Sequence, residues 1–186
     1  MTTNNWNIDT THSGINFSIR HMVVSKVRGR FAKYTGAINI DDGDLTRSSV
    51  EVSIDASSID TGVADRDTHL RSADFFDVEK YPEITFRSTK IAPRGQNQYD
   101  VTGSFTLHGV TKEITVPVTF MGFMGAGPNE KAGFSADFTL NRKDYWIVWN
   151  RALDNGGTVL GDDVVISVNI EANPPKPAPP AAPSTK

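Results

Sequence analysis

The sequence predicts an all-β fold of about eight antiparallel strands joined mostly by short turns. Three observations predict it. Apolar and polar residues alternate with period two in many separate segments, as in strands with one face toward a core and one toward water. Clusters of Gly, Asn, Asp and Pro fall between those segments, as turns require. The 186 residues are 38% hydrophobic and 22% charged, which suits one domain with a sizeable core.

The elements follow in order. Ile15, Phe17 and Ile19 alternate with Asn16, Ser18 and Arg20. A shorter candidate spans Arg30–Ile40, closed by the turn DDGD at 41–44. Val50, Val52 and Ile54 form the next apolar face, and Glu83–Ser88 is a second short candidate. Val101, Phe105 and Leu107 share a face with Gly103, between PRGQN at 93–97 and HGVT at 108–111. Ile114, Val116, Val118 and Phe120 follow; Pro117 lacks an N–H and marks a bulge or an edge there. Phe134, Ala136 and Phe138 lie past GAGPN at 125–129, and Val164, Ile166, Val168 and Ile170 lie past NGG at 155–157. Such a meander must close on itself or stack in two layers. The chain has no cysteine, so an immunoglobulin-type Cys–Trp–Cys core is absent. Eight strands closed into a barrel can enclose a small-ligand cavity.

Composition removes several functions. The net charge is −3 without a contiguous basic run, so nucleic acid is not an expected partner. Without cysteine there are no disulfides, thiolate metal sites or cysteine nucleophiles. No apolar run approaches the ~18 residues of a spanning helix, so stable membrane insertion is not expected. MTTNNWNIDT lacks the basic and apolar regions of a secretory signal. A cytoplasmic location is expected from the sequence as it stands, or a periplasmic one if a leader has been removed. The folded domain is expected over residues 4–172. Residues 173–186, NPPKPAPPAAPSTK, read as a Pro/Ala-rich disordered tail.

One long crossing, residues 57–82, interrupts the strands, and connections of that length are usually functional. It holds DRDTHLRSADFFD at 65–77. Asp65 is expected to cap a short helix over Arg66–Ala73, with Asp67 pairing Arg71 at i,i+4. Leu70, Phe75 and Phe76 would plug the barrel end. An enzyme reading would join His69, Ser72 and Asp74 as a hydrolase or isomerase centre. No nucleophile-presenting turn surrounds Ser72, so no catalytic residue is assigned. The four histidines lack metal-ligand spacing, so no metal site is assigned. The segment NRKDYWIVWN at 141–150 adds Tyr145, Trp146 and Trp149, aromatics suited to a pocket mouth or to plain anchoring.

The motifs WNIDTTHSGINFSIRH, VRGRF, DRDTHLRSADFFDVEKYPEITF, TGSFTLHGVTKEITVPV, NRKDYW and GDDVVISVNIEA, in order over residues 6–172, resemble the YceI-like family of polyisoprenoid-binding, lipocalin-like proteins. The resemblance implies an elongated eight-stranded antiparallel lipocalin-like barrel with a long internal tunnel and a short helix in the 57–82 crossing. It implies a non-catalytic carrier or store for a small hydrophobic or amphiphilic ligand: a polyprenyl phosphate, an isoprenoid quinone or a fatty-acid amide. No cofactor beyond such a lipid is implied, and a homodimer is. On apolar patterning alone the strand faces could equally fill a core. With the resemblance, Phe17, Ile19, Phe31, Ile38, Ile40, Ile54, Leu70, Phe75, Phe76, Phe86, Phe105, Val116, Val118, Phe134, Phe138, Trp146, Val164 and Ile166 are the expected tunnel lining. Arg66, His69, Arg71 and Arg142 are the candidates for a polar head group, since a guanidinium can hold two oxygens of a phosphate. Trp146 stands where the family usually has Gly, and its indole is expected to narrow the tunnel.

Overall fold

The computed structural model describes residues 4–22, 24–154 and 156–175. The strands form one antiparallel sheet that closes on itself. Strand β1 runs over Asn4–Ile8 and continues as Gly14–His21; β2 runs over Ser25–Phe31 and Tyr34–Ile40. Strand β3 is Ser49–Asp55 with a two-residue extension, Ile59–Asp60. The others are uninterrupted: β4 Glu83–Gly95, β5 Gln98–Leu107, β6 Val110–Met124, β7 Lys131–Asn141 and β8 Leu160–Asn173. Each pairs with its neighbours in sequence. Closure comes from β8 beside β1: Ile8 lies opposite Ala172 and Phe17 opposite Ile166. Residues 176–186, the bulk of the expected tail, lie outside the described residues.

The eight expected strands are present, with differences at the start. The sequence reading missed Asn4–Ile8, because NNWNI carries three Asn and only two apolar residues, a weak strand signal. Trp6 nevertheless lies opposite Ile38 and is buried. Pro117 pairs with Asp100 on one side, while the β6–β7 ladder begins one residue later, at Val118 opposite Ala136. Its missing N–H therefore interrupts no β6–β7 pairing. His108 and Gly109 both have positive φ, 51° and 73°, the geometry of a two-residue I′ hairpin turn. Gly103 is required by close approach: a Cβ there would sit 2.3 Å from the Arg87 carbonyl oxygen.

Two apolar clusters mark the two ends. One gathers Phe31, Ile54, Ile59, Phe75, Phe105, Tyr145 and Ile147 beneath the long crossing. The other gathers Trp6, Ile38, Ile40, Ala132 and Ala172, with Phe120 and Phe134 against it. Helix α1, Ala64–Arg71, lies across the first end. It starts earlier than expected, with Val63 at the cap position and no side-chain cap. Asp65 is thus a first-turn acid, which favours the helix dipole, and not the cap. Asp67 does not pair with Arg71. It is buried and accepts from the Thr61 N–H at 3.0 Å and from the Thr61 hydroxyl, tying the helix to the end of β3.

Candidate ligand-binding site

A cavity of about 920 Å³ runs between the two clusters inside the barrel. It is at the upper end of the size range of small-molecule sites. The period-two faces build its wall, because every second side chain of a barrel strand points inward. Phe17, Ile19, Phe31, Ile38, Ile40, Ile54, Phe86, Phe105, Val116, Val118, Phe134, Phe138, Val164 and Ile166 all lie on it. Leu70, Phe75 and Phe76 join from the crossing. Phe76 meets Phe31 edge-on at 5.8 Å, and Phe75 lies 5.2 Å from Trp149.

Trp146 is not on that wall. It is 72% exposed, with φ of 60° in the left-handed region. The turn Arg142–Tyr145 ends there, and the Trp146 N–H donates to the carbonyls of Arg142 and Lys143. A left-handed position suits Gly because Gly has no Cβ. The constraint on this position is therefore backbone geometry, and the indole narrows nothing. Trp149, three residues on, is the indole that lines the cavity. Replacing Trp146 with Gly should stabilise the fold by about 0.5–1 kcal/mol, the left-handed strain relieved less the greater chain entropy of Gly. Thermal denaturation measures this, and ligand uptake should be unchanged.

The four head-group candidates separate. Arg66 lines the cavity, and its Nε and Nη2 donate to Thr61 Oγ1 at 2.7 Å and the Thr61 carbonyl at 2.9 Å. His69 lines it too, its ring edge-on to Phe75 and Trp149 and its Nε2 2.7 Å from Asp74 Oδ2. Arg71 does not reach the cavity; it donates to the carbonyls of Ser57 and Ile59 at 2.7 and 2.8 Å. Arg142 does reach it, yet serves the backbone. It is 4% exposed and donates to the carbonyls of Gly161, Ile147 and Trp149 at 2.8–2.9 Å. Burial pushes its guanidinium pKa down, and Asp162 at 3.6 Å opposes that.

The residues of the enzyme reading do not assemble as a triad. Asp74 reaches His69, but the Ser72 hydroxyl donates to the His69 carbonyl at 2.7 Å, at the end of the helix. A separate group, Asp9, His12 and Glu171, brings ligand-type atoms together outside the barrel. Lys131 Nζ lies 3.4 Å from both carboxylates, so a cation is already supplied. The His12 hydrogen bond, with help from the Thr11 N–H, Asn173 and Lys131, holds the Asp9 carboxyl well below the usual range against the opposing effect of burial.

The polar cavity residues share one trait. Lys26, Arg28, Arg66, Arg142 and Arg151 line it with His21 and His69, and no Asp or Glu does. Ser25, Lys26, Arg28 and Arg151 are also exposed, which sets the mouth there. The Ser25–Phe31 part of β2 pairs with β3 only at Arg30–Asp60 and Phe31–Ile59. Residues 25–28 are therefore an unpaired edge beside the mouth, among the described residues. Sequence reasoning missed Lys26, Arg28 and Arg151, since no pattern marks where a strand loses its partner.

The YceI-like domain model matches residues 6–172. The chain belongs to the YceI-like family. A UPF0312 protein of Vibrio parahaemolyticus is 43% identical over 142 residues, 74% of this chain and 75% of that one. One from Staphylococcus epidermidis is 39% identical over 168 residues, 89% of this chain and 95% of that one. Among solved structures, Burkholderia cenocepacia BcnA superposes with a TM-score of 0.78 at 27% identity, over 89% of this chain and 99% of that one. A polyisoprenoid binding domain from Saccharophagus degradans superposes with a TM-score of 0.70 at 17% identity, over 91% of this chain and 98% of that one; that likeness is one of fold. Among the described residues no helix is long and apolar enough to cross a membrane.

Proposed function

We propose that this protein binds a long-chain isoprenoid or similar amphiphile, with its tail in the barrel and its head group at the mouth, and that it carries or sequesters that lipid without transforming it. The observation that carries the reading is the roughly 920 Å³ apolar cavity, whose lining residues include Arg66 and Arg142, with Lys26, Arg28 and Arg151 at the mouth, and no Asp or Glu. Each methylene moved from water into it is worth about 0.8 kcal/mol, so one five-carbon unit contributes roughly 3–4 kcal/mol before ordering costs. Tail length then sets affinity, and the head sets preference. An anionic head, such as a polyprenyl phosphate, fits a lining that holds cations and no acid better than a quinone or an amide does. The solved relative described as a polyisoprenoid binding domain is consistent with that ligand class. The commitment of the Ser72 hydroxyl to a backbone carbonyl supports a binding role over a hydrolytic one.

Native mass spectrometry and organic extraction of the purified protein test the proposal directly. A co-purifying lipid, or saturable uptake of a polyprenyl phosphate probe, is the expected result; neither appearing overturns it. Arg66→Gln should weaken a polyprenyl phosphate about tenfold, the worth of one charge-assisted hydrogen bond. A neutral prenol of the same length should bind the variant as well as it binds the wild type.

A further inference from the structure

The hairpin joining β1 to β2 has a charge and exposure pattern that extends beyond the cavity mouth. Residues 10–40 hold five of the chain's 19 Lys and Arg and none of its 22 Asp and Glu. The protein as a whole is acidic, at −3. Arg20 lies directly opposite Lys26 on the outer face of the hairpin. Like charges placed so destabilise a sheet. Arg30 is neutralised by Asp60 at 3.1 Å, whereas Arg20, Lys26 and Arg28 make no ion pair among the described residues. The tip of the same hairpin is apolar: Val24 is 93% exposed and Met22 48% exposed. Met22 is held with φ of 49°, and its N–H donates to the Val159 carbonyl at 2.8 Å, which fixes the tip beside the cavity mouth. Val63, at the cap of α1, is a further exposed apolar residue.

An exposed apolar tip flanked by unneutralised cations is the pattern of a surface that lies on anionic lipid. We infer that the β1–β2 hairpin docks this protein on an anionic membrane surface, Met22 and Val24 entering the head-group layer while Arg20, Lys26 and Arg28 meet lipid phosphates. Docked so, the unpaired edge at 25–28 and the mouth lined by Lys26, Arg28 and Arg151 face the bilayer. A long-chain lipid then passes between bilayer and barrel without exposing its tail to water. Docking is independent of the ligand proposal, and only this transfer step rests on it.

Vesicle flotation tests it, using mixed phosphatidylcholine and phosphatidylglycerol against phosphatidylcholine alone. Three cations at the surface should favour the anionic vesicles about 100-fold, roughly fivefold each, and high salt should remove the preference. The double variant Lys26→Glu/Arg28→Glu should lose that preference, and Val24→Asp should weaken binding to the anionic vesicles. Folding of each variant is checked by circular dichroism, and uptake of a polyprenyl probe from detergent is measured separately. Equal binding to both vesicle types, binding to neither, or unchanged binding by a folded double variant overturns the inference. Self-association abolished by the same substitutions, without vesicle binding, overturns it in favour of pairing between copies through the 25–28 edge. Intact probe uptake with failed docking would leave the ligand reading standing, and failed uptake with intact docking would remove only that reading.

Discussion

Replacing Ala136 with Phe should lower uptake of a long-chain lipid at least about 100-fold and leave the barrel folded. Ala136 is a small residue on the inward face of β7, between Phe134 and Phe138, opposite Val118 on β6 and Val168 on β8. It lies on the wall of the cavity. A phenyl ring there enters space that a ligand tail would use. Displacing a single five-carbon unit removes roughly 3–4 kcal/mol of burial, and each 1.4 kcal/mol is tenfold in affinity. The same ring adds apolar contacts to the empty barrel, so the midpoint of thermal unfolding should hold or rise. A barrel with a filled core would respond in the opposite sense, because overpacking costs about 1–3 kcal/mol. Uptake of a fluorescent fatty-acyl or prenyl probe, measured beside a thermal melt, separates the two. Loss of stability with unchanged uptake would contradict a ligand cavity at this level.

That experiment reaches the point where the sequence runs out. Period two shows which side chains point inward, so Phe17, Phe105, Phe138 and Ile166 could be placed on the inner wall from spacing alone. It does not show whether the inner faces meet. A filled core and a tube share the same alternation; only the resemblance to a family separated them, and the open interior is seen in the structure itself. The strand count was legible, while the breaks in β1 and β2 were not. TTHSG at 10–14 and the short gap at 32–33 look like ordinary strand-edge variation until the pairing partners are known. Side-chain direction in the long crossing was also hidden. Asp67 and Arg71 have ideal helical spacing for an ion pair, yet each finds a better partner off the helix, at Thr61 and at the Ser57 and Ile59 carbonyls. At Trp146 the sequence did hold a signal, a usual Gly replaced. Its meaning was a left-handed backbone and not the width of the tunnel.

Arg142 gives the largest expected loss of stability. Its guanidinium fork holds three backbone carbonyls at once, those of Ile147, Trp149 and Gly161, and so pins the segment after β7 against the start of β8. That segment carries Tyr145, Ile147 and Trp149 to the cavity wall beside the first part of β6, where the ladder with β7 has ended. Arg142→Met keeps the length and apolar stem but leaves those three carbonyls without their donor. A buried polar group stripped of its partner costs about 1–3 kcal/mol. Water admitted from the cavity offsets part of the sum, so the loss should be about 3–5 kcal/mol, or roughly 10 °C in the unfolding midpoint. Asp162 adds little to the penalty, since Lys143 remains 2.9 Å from it. Arg142→Lys should recover little, because one ammonium on a flexible stem lacks the rigid fork that reaches several acceptors at once. Were Arg142 instead a head-group ligand, its loss would change the preference between phosphate and neutral probes while barely moving the melt. The expected pattern is the reverse: a large fall in stability, and uptake of both probes reduced together as Trp149 and Ile147 leave the wall.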